Sequence, residues 1–173
     1  MKLQQITRSD DPLLDRILPL YESSFPQQER RPIEQLKLLL DTEERMVCNA
    51  VICEEKFCGL FIYWQFEQFY YLEYLAIYPE LRNQKIGQQV LDYVARELTG
   101  LRLMEVEPPV DEITKRRIGY YQRNGYEVLN QDYIQPSYWD DCPAGNLWLM
   151  GNRHTERLQE YLAQIITEVY RHR

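Results

Sequence analysis

Histidine is scarce in this chain, and that restricts the chemistry open to it. His154 and His172 are its two histidines; both lie in the C-terminal stretch, outside any grouping with Ser, Cys or Asp, and neither is assigned a catalytic role. The four cysteines, Cys48, Cys53, Cys58 and Cys142, form no Cys-x-x-Cys pair and have no histidine cluster beside them. This spacing supports neither a metal centre nor a redox motif, so no metal is expected, and the thiols read as small buried hydrophobes. No run of about twenty apolar residues is present, and Met1–Ile6 has no apolar stretch ahead of a small-residue cleavage site. The expectation is a cytoplasmic protein with no membrane partner. Positive charge is in deficit as well, with 20 basic against 27 acidic side chains and a formal charge of -7. That balance disfavours a nucleic-acid partner and is mildly compatible with cationic amines.

What is present suits one packed core. The 173 residues are 45% hydrophobic and 13% aromatic, with no internal repeat or low-complexity linker, so a single domain over 1–173 is expected. Leu13, Leu14, Ile17, Leu18 and Tyr21 recur at helical spacing, with Pro19 expected to kink or shorten that helix. A second helix is expected to open with Pro32 in its first position and to carry the stripe Ile33, Leu36, Leu39 and Leu40. Residues 46–53, 59–66 and 69–78, rich in Val, Ile, Phe, Tyr and Trp, read as an antiparallel meander. Ile86, Val90, Leu91, Val94 and Leu98 then mark a helix from near Lys85 to before Gly100. A strand over 101–106 and a helix over 111–124, ended by Gly125, complete the alternation of a parallel crossover. Segments 126–129 and 146–150 read as the last strands, joined by a long connection that carries Tyr133, Tyr138 and Trp139. The tail is an amphipathic helix with Leu158, Tyr161, Leu162, Ile165, Ile166 and Val169 on one face. That face either caps the sheet or serves a homodimer.

The segment that carries chemistry runs from Leu72 to Leu91. An apolar strand meets the turn marked by Pro79, a polar loop holding Arg82 follows, and a helix opens around Ile86-Gly87. Such a loop gathers unpaired backbone N–H groups at the positive end of a helix dipole and so makes an anion site, with phosphate as the expected guest. It lacks the Lys-Ser/Thr ending of a P-loop and the glycine triplet of a dinucleotide fold.

In its place, Arg82, Asn83, Gln84, Lys85, Ile86 and Gly87 resemble motif A of the GCN5-related N-acetyltransferases, the GNAT family, whose signature is Arg/Gln-x-x-Gly-x-Gly/Ala after a strand. Lys85 stands where the family usually has its first glycine. As a residue of the first helical turn it is expected to need no positive φ, and its ammonium is available to a phosphate. Tyr120-Tyr121-Gln122-Arg123-Asn124-Gly125-Tyr126 resembles the family's motif B, an aromatic-Tyr-Glu-Lys-x-Gly-Phe run ending a helix. The resemblance covers about Tyr71 to Val128. It implies a mixed α/β (α+β) fold of the GNAT acyl-CoA N-acyltransferase type, with a central, mostly antiparallel sheet, one parallel crossover and flanking helices.

The resemblance also implies acetyl transfer from acetyl-CoA, as co-substrate, directly to a primary amine of a small molecule or peptide. It maps the pantetheine arm onto Leu75 and Ile77 and the pyrophosphate onto Arg82, Asn83, Gln84, Lys85, Ile86, Gly87 and Gln88. Tyr121 takes the motif B tyrosine position, that of a proton donor to the thiolate, with a core aromatic as the alternative. Glu73 is the leading candidate base: strand alternation places it with Tyr71, Leu75 and Ile77, and a carboxylate in an apolar strand is costly unless paired or functional. An ion pair at the sheet surface is the other reading. Glu105, Glu107 or a water chain are the remaining candidates. The loop 25–31 and the aromatics Tyr133, Tyr138 and Trp139 are candidate substrate walls. A non-catalytic acyl-CoA-binding or protein-interaction module on the same fold is the alternative function.

Overall fold

A computed structural model of the chain describes residues 1–139 and 145–170; Cys142 and His172 lie outside the described residues. The strands are β1 (Lys2–Ile6), β2 (Met46–Cys53), β3 (Lys56–Gln65), β4 (Phe69–Ile77), β5 (Leu101–Val106), β6 (Glu127–Gln135) and β7 (Gly145–Gly151). They form one seven-stranded sheet in the order β1-β2-β3-β4-β5-β7-β6. Every neighbouring pair is antiparallel except β4 and β5, which are parallel. The helices are α1 (Leu14–Ser24), α2 (Ile33–Thr42), α3 (Ile86–Glu97), α4 (Glu112–Arg123) and α5 (Leu158–Ile165), the last continuing into a π-helical turn over Ile166–Tyr170. This is the mixed α/β, mostly antiparallel architecture with one parallel crossover that the sequence pattern implies.

Two apolar layers sandwich the sheet. On one face α1, α2 and α5 contribute Ile17, Leu20, Leu36, Leu39, Leu162 and Ile165 to a core with Trp64, Phe69 and Tyr71. On the other, Val90 and Val94 of α3 and Ile118 of α4 pack on Leu72, Met104 and Met150. The apolar stripe of α5 thus packs into the core, the sheet-capping reading of this helix. The three-helix face is called the α1 face below, the other the α3 face.

Several local expectations are corrected. α1 runs through Pro19 to Ser24, because burial of Leu14, Ile17, Leu20 and Tyr21 on the sheet offsets the lost hydrogen bond. Pro32 is the N-cap of α2, one residue outside the helix. β1 was not anticipated: Leu3 and Ile6 are its only apolar side chains, too few for a strand pattern, and its order comes from pairing along β2. β6 continues to Gln135, so Tyr133 lies within a strand, broken by register shifts at Asn130 that blur its alternation.

One irregularity governs the site. Across β3 and β4, Ile62 pairs with Tyr74 and Tyr63 with Leu72, which leaves Glu73 as an extra residue, a β-bulge. Two consecutive side chains, Glu73 and Tyr74, therefore turn to the α1 face, and Leu75 and Ile77 pass to the α3 face. The expectation that Glu73 shares a face with Leu75 and Ile77 fails for this reason, since strict alternation does not survive a bulge. Pairing of β4 with β5 stops at the same place, with Leu72 against Met104 as the last partners. Beyond them the strands separate.

Candidate active site

The separation of β4 from β5 opens a cleft of about 1040 Å³ that reaches both faces of the sheet. On the α1 face it is lined by Phe25, Pro26 and Glu29 of the α1–α2 loop, with Tyr74, Glu105 and Tyr138. On the α3 face Leu75, Ile77, Arg82, Lys85, Gly87 and Tyr121 line it. Along β4 past Leu72 the edge toward β5 has no strand partner, so its alternate amides and carbonyls are open to a ligand in extended conformation. The carbonyl of Ile77 accepts from Arg82 Nε at 3.2 Å, which folds Arg82 over the end of the strand.

At the head of α3, no acceptor is found among the described residues for the backbone N–H groups of Lys85, Ile86, Gly87 and Gln88. These orphan donors, at the positive end of a twelve-residue helix, line the cleft. The turn before them is left-handed at Asn83 (φ 64°) and at Lys85 (φ 61°). Lys85 is thus the N-cap in the left-handed region and not a residue of the first helical turn, a correction to the sequence reading. Glycine is favoured here because a Cβ in this conformation costs about 1–2 kcal/mol. Gly87 gives room at this point: a Cβ there would lie a tight 3.3 Å from the Tyr120 hydroxyl, which is itself buried without a partner. Gln84 does not line the cleft; its amide donates to the Glu80 carbonyl at 3.4 Å. Gln88 presents its backbone, because its side chain is tied to Asn124 Oδ1 at 2.5 Å and Asp92 Oδ1 at 2.8 Å.

Two carboxylates flank the throat where the strands part, and their surroundings differ sharply. The Glu73 side chain is 2% exposed and pairs with Arg31, which is 0% exposed. Its Oε1 also accepts from Tyr138 Oη at 2.6 Å and its Oε2 from Trp64 Nε1 at 2.7 Å. The Arg31 guanidinium lies between the Trp64 and Tyr138 rings, 5.5 and 4.7 Å from their centroids. Both oxygens of Glu73 are therefore engaged, Oε2 by Trp64 and Oε1 in the buried ion pair that fastens the α1–α2 loop to the bulge. Glu105 is held through Oε2. Tyr170 Oη donates to Oε2 at 2.5 Å and Gln135 Nε2 donates to it at 3.0 Å, whereas Oε1 is buried with no partner. Burial pushes the Glu105 carboxyl up to about 7, with the Glu73 charge acting in the same direction. Glu107 pairs with Arg117.

Tyr121 lines the opposite wall, from α4, packed against the α3-face core. Its hydroxyl has no hydrogen-bond partner among the described residues, and burial raises its pKa, so it stays protonated at neutral pH. Of the proposed substrate walls, Phe25 and Tyr138 face the cleft. Trp139 donates to the Arg30 carbonyl at 2.8 Å and braces the loop, and Tyr133 lies behind, in the α1-face core. Among the described residues there is no group of His, Cys, Asp and Glu that could hold a metal ion.

Comparison with known proteins places this geometry. Residues 43–128 match the family model of the acetyltransferase (GNAT) domain. A solved structure from Bacteroides thetaiotaomicron, assigned as an acetyltransferase of the GNAT family, is 32% identical, with 98% of each chain covered and a TM-score of 0.90. The chain belongs to the GNAT family of acetyltransferases. Lower similarity, which speaks for the fold, extends to an aminoglycoside 6'-N-acetyltransferase complexed with coenzyme A, 13% identical over 87% of this chain and 96% of that one, with a TM-score of 0.63. It extends also to a GNAT acetyltransferase from Elizabethkingia anophelis with acetyl-CoA bound, 13% identical over 88% and 97%, with a TM-score of 0.60. No curated protein matches.

Within this GNAT chain the sequence reading located the loop, the motif B helix and the strand that carries Glu73. It missed the Arg31 partner, 42 residues away, and the Gln135 and Tyr170 clamp on Glu105. Neither has a local signature. The only trace was indirect, a charged residue inside an apolar strand that had to be paired or used.

Proposed function

We propose that the protein is an acetyl-CoA-dependent N-acetyltransferase that acts in the cytoplasm on a primary amine of a small molecule or peptide. The observation that carries the proposal is the single cleft through the β4–β5 gap. It joins unpartnered amides at one end to the buried Glu105 carboxyl at its throat. The free thiols of Cys48, Cys53 and Cys58 suit a reducing compartment.

The residues present fit the co-substrate. Free amides of residues 85–88 suit a pyrophosphate, the cradle at Gly87 admits it, and the open edge of β4 at Leu75 and Ile77 receives the amide groups of the pantetheine arm. Arg82 and Lys85 add charge at the same mouth. Acetyl-CoA, when bound, supplies an activated thioester. An alkylammonium acceptor has a pKa near ~10 and must lose a proton before attack. Glu105, which lines the cleft, is the carboxylate to take it, and its carboxyl, pushed up to about 7, is ionised under mildly alkaline conditions. Tyr121, across the cleft, holds its proton for the departing thiolate. In this reading Glu73 anchors the acceptor loop and Glu105 is the base. Phe25, Tyr74 and Tyr138 give the acceptor side aromatic walls, suited to an alkyl chain or a cationic head.

The test is free thiol release from acetyl-CoA across a panel of amines and lysine peptides. Turnover with at least one acceptor is expected, and Tyr121→Phe should lower kcat by about 10²-fold or more with little change in acetyl-CoA binding. Coenzyme binding with no turnover across the panel contradicts the catalytic reading and leaves the non-catalytic acyl-CoA-binding module.

A further inference from the structure

The C-terminal helix packs on the sheet as a cap, but its last described turn does something that packing does not require. Tyr170 reaches across the α1-face core to the throat of the cleft, where its hydroxyl donates to Glu105 Oε2 at 2.5 Å. With that proton committed, the Tyr170 oxygen accepts from Gln135 Nε2 at 3.0 Å and from the Tyr71 hydroxyl at 3.1 Å. Gln135 Nε2 lies 3.0 Å from the same Glu105 oxygen. Both donors therefore load Oε2. The Tyr170 ring also stacks on Tyr138 at 4.6 Å between centroids, and Tyr138 donates to Glu73. Tyr170 stands in the π-helical turn, a form frequent at functional sites.

We infer that Tyr170 is a positioning residue of the reaction: its hydroxyl, with the Gln135 amide, fixes the Glu105 carboxylate by Oε2 at the wall of the cleft. This rests on the acetyltransfer reading above, in which Glu105 is the base. Donation to a carboxylate favours its charged form, so the clamp also offsets part of the cost of burying Glu105. The titratable and charged groups that face Glu105 are Glu73, paired with Arg31, and Tyr71 from β4, Tyr133 from β6, and Tyr170 from the terminal turn. Of these, Glu73 acts against ionisation and the phenols act for it.

The experiment uses the full chain labelled with carboxyl-¹³C glutamate, with the Glu105 resonance assigned by its loss in Glu105→Gln. Tyr170→Phe removes one oxygen and leaves the ring stack. The midpoint of the Glu105 titration should rise by about one pH unit, the worth of a hydrogen bond to a charged group. The acidic limb of kcat/KM for the best amine of the panel should rise with it, and KM for acetyl-CoA should stay. If Tyr170→Phe does not fold, Gln135→Met, which removes the second donor, is read in the same way, with the same direction expected. An unmoved midpoint in the folded variant overturns the positioning role and leaves Glu105 as base. Retention of the wild-type acidic limb in Glu105→Gln overturns the base assignment and this inference together.

Discussion

Replacing Arg31 by Met tests whether the bulge and the α1–α2 loop are held by one buried ion pair. The substitution keeps the stem in contact with Trp64 and Tyr138 and removes the charge. Glu73, 2% exposed, would retain the Trp64 and Tyr138 donors but face no cation. Removing one partner of such a pair costs about 3–5 kcal/mol, because the remaining charge stays desolvated. For a domain of this size each kcal/mol moves Tm by roughly 2–4 °C, so Arg31→Met should melt roughly 6–20 °C below wild type. The double variant Arg31→Met with Glu73→Met removes both charges from the same site and should recover most of the loss, since well-packed apolar replacements of buried pairs are about neutral. Circular dichroism melts and urea unfolding of the four members of the cycle give the coupling energy, expected above about 2 kcal/mol. A single-variant cost below about 1 kcal/mol would refute the reasoning and return Glu73 to contention as a base.

Other consequences are sharp enough to measure. Glu105→Gln should abolish the acidic limb of the pH–rate profile near pH 7 and lower kcat/KM by about 10²-fold or more, whereas Glu73→Gln should act chiefly on stability. The same carboxyl, raised from 4.5 to about 7 in the fold, keeps a proton that the unfolded chain releases. Its contribution to stability is therefore present below about pH 4.5 and is lost as pH rises to about 7, and the difference between wild type and Glu105→Gln in urea unfolding should follow that window. Lys85→Gly relieves a left-handed side chain (φ 61°) and, after the extra entropy of glycine, should raise stability by about 0.5–1 kcal/mol in chemical unfolding. Gly87→Val places branches where the first Cβ already lies 3.3 Å from the Tyr120 hydroxyl, and calorimetry should show coenzyme A binding weakened by roughly tenfold or more with the fold intact.

Periodicity and punctuation carried most of the fold. The meander, the crossover helix and the motif B helix stand where apolar spacing, Pro79, Gly100 and Gly125 put them, because local propensity and burial agree there. The candidate site was legible to the extent that it is local: an anion loop is a property of a few consecutive residues. What escaped was non-local or irregular. A bulge adds one residue without changing composition, so alternation misplaced Glu73 relative to Leu75 and Ile77. The left-handed Lys85 breaks a propensity rule, and such exceptions gather at functional turns, where the surrounding fold sets the backbone. The different surroundings of Glu73 and Glu105 come from partners on α1–α2, β6 and the terminal turn, which only the folded chain brings together.

The most direct measurement is the structure of the protein crystallised with coenzyme A. Pyrophosphate oxygens should lie about 3 Å from the amides of residues 85–88, with the pantetheine arm along the free edge of β4 and the sulfur between Tyr121 and Glu105. A nucleotide seated elsewhere, with those amides facing only water, would contradict the account.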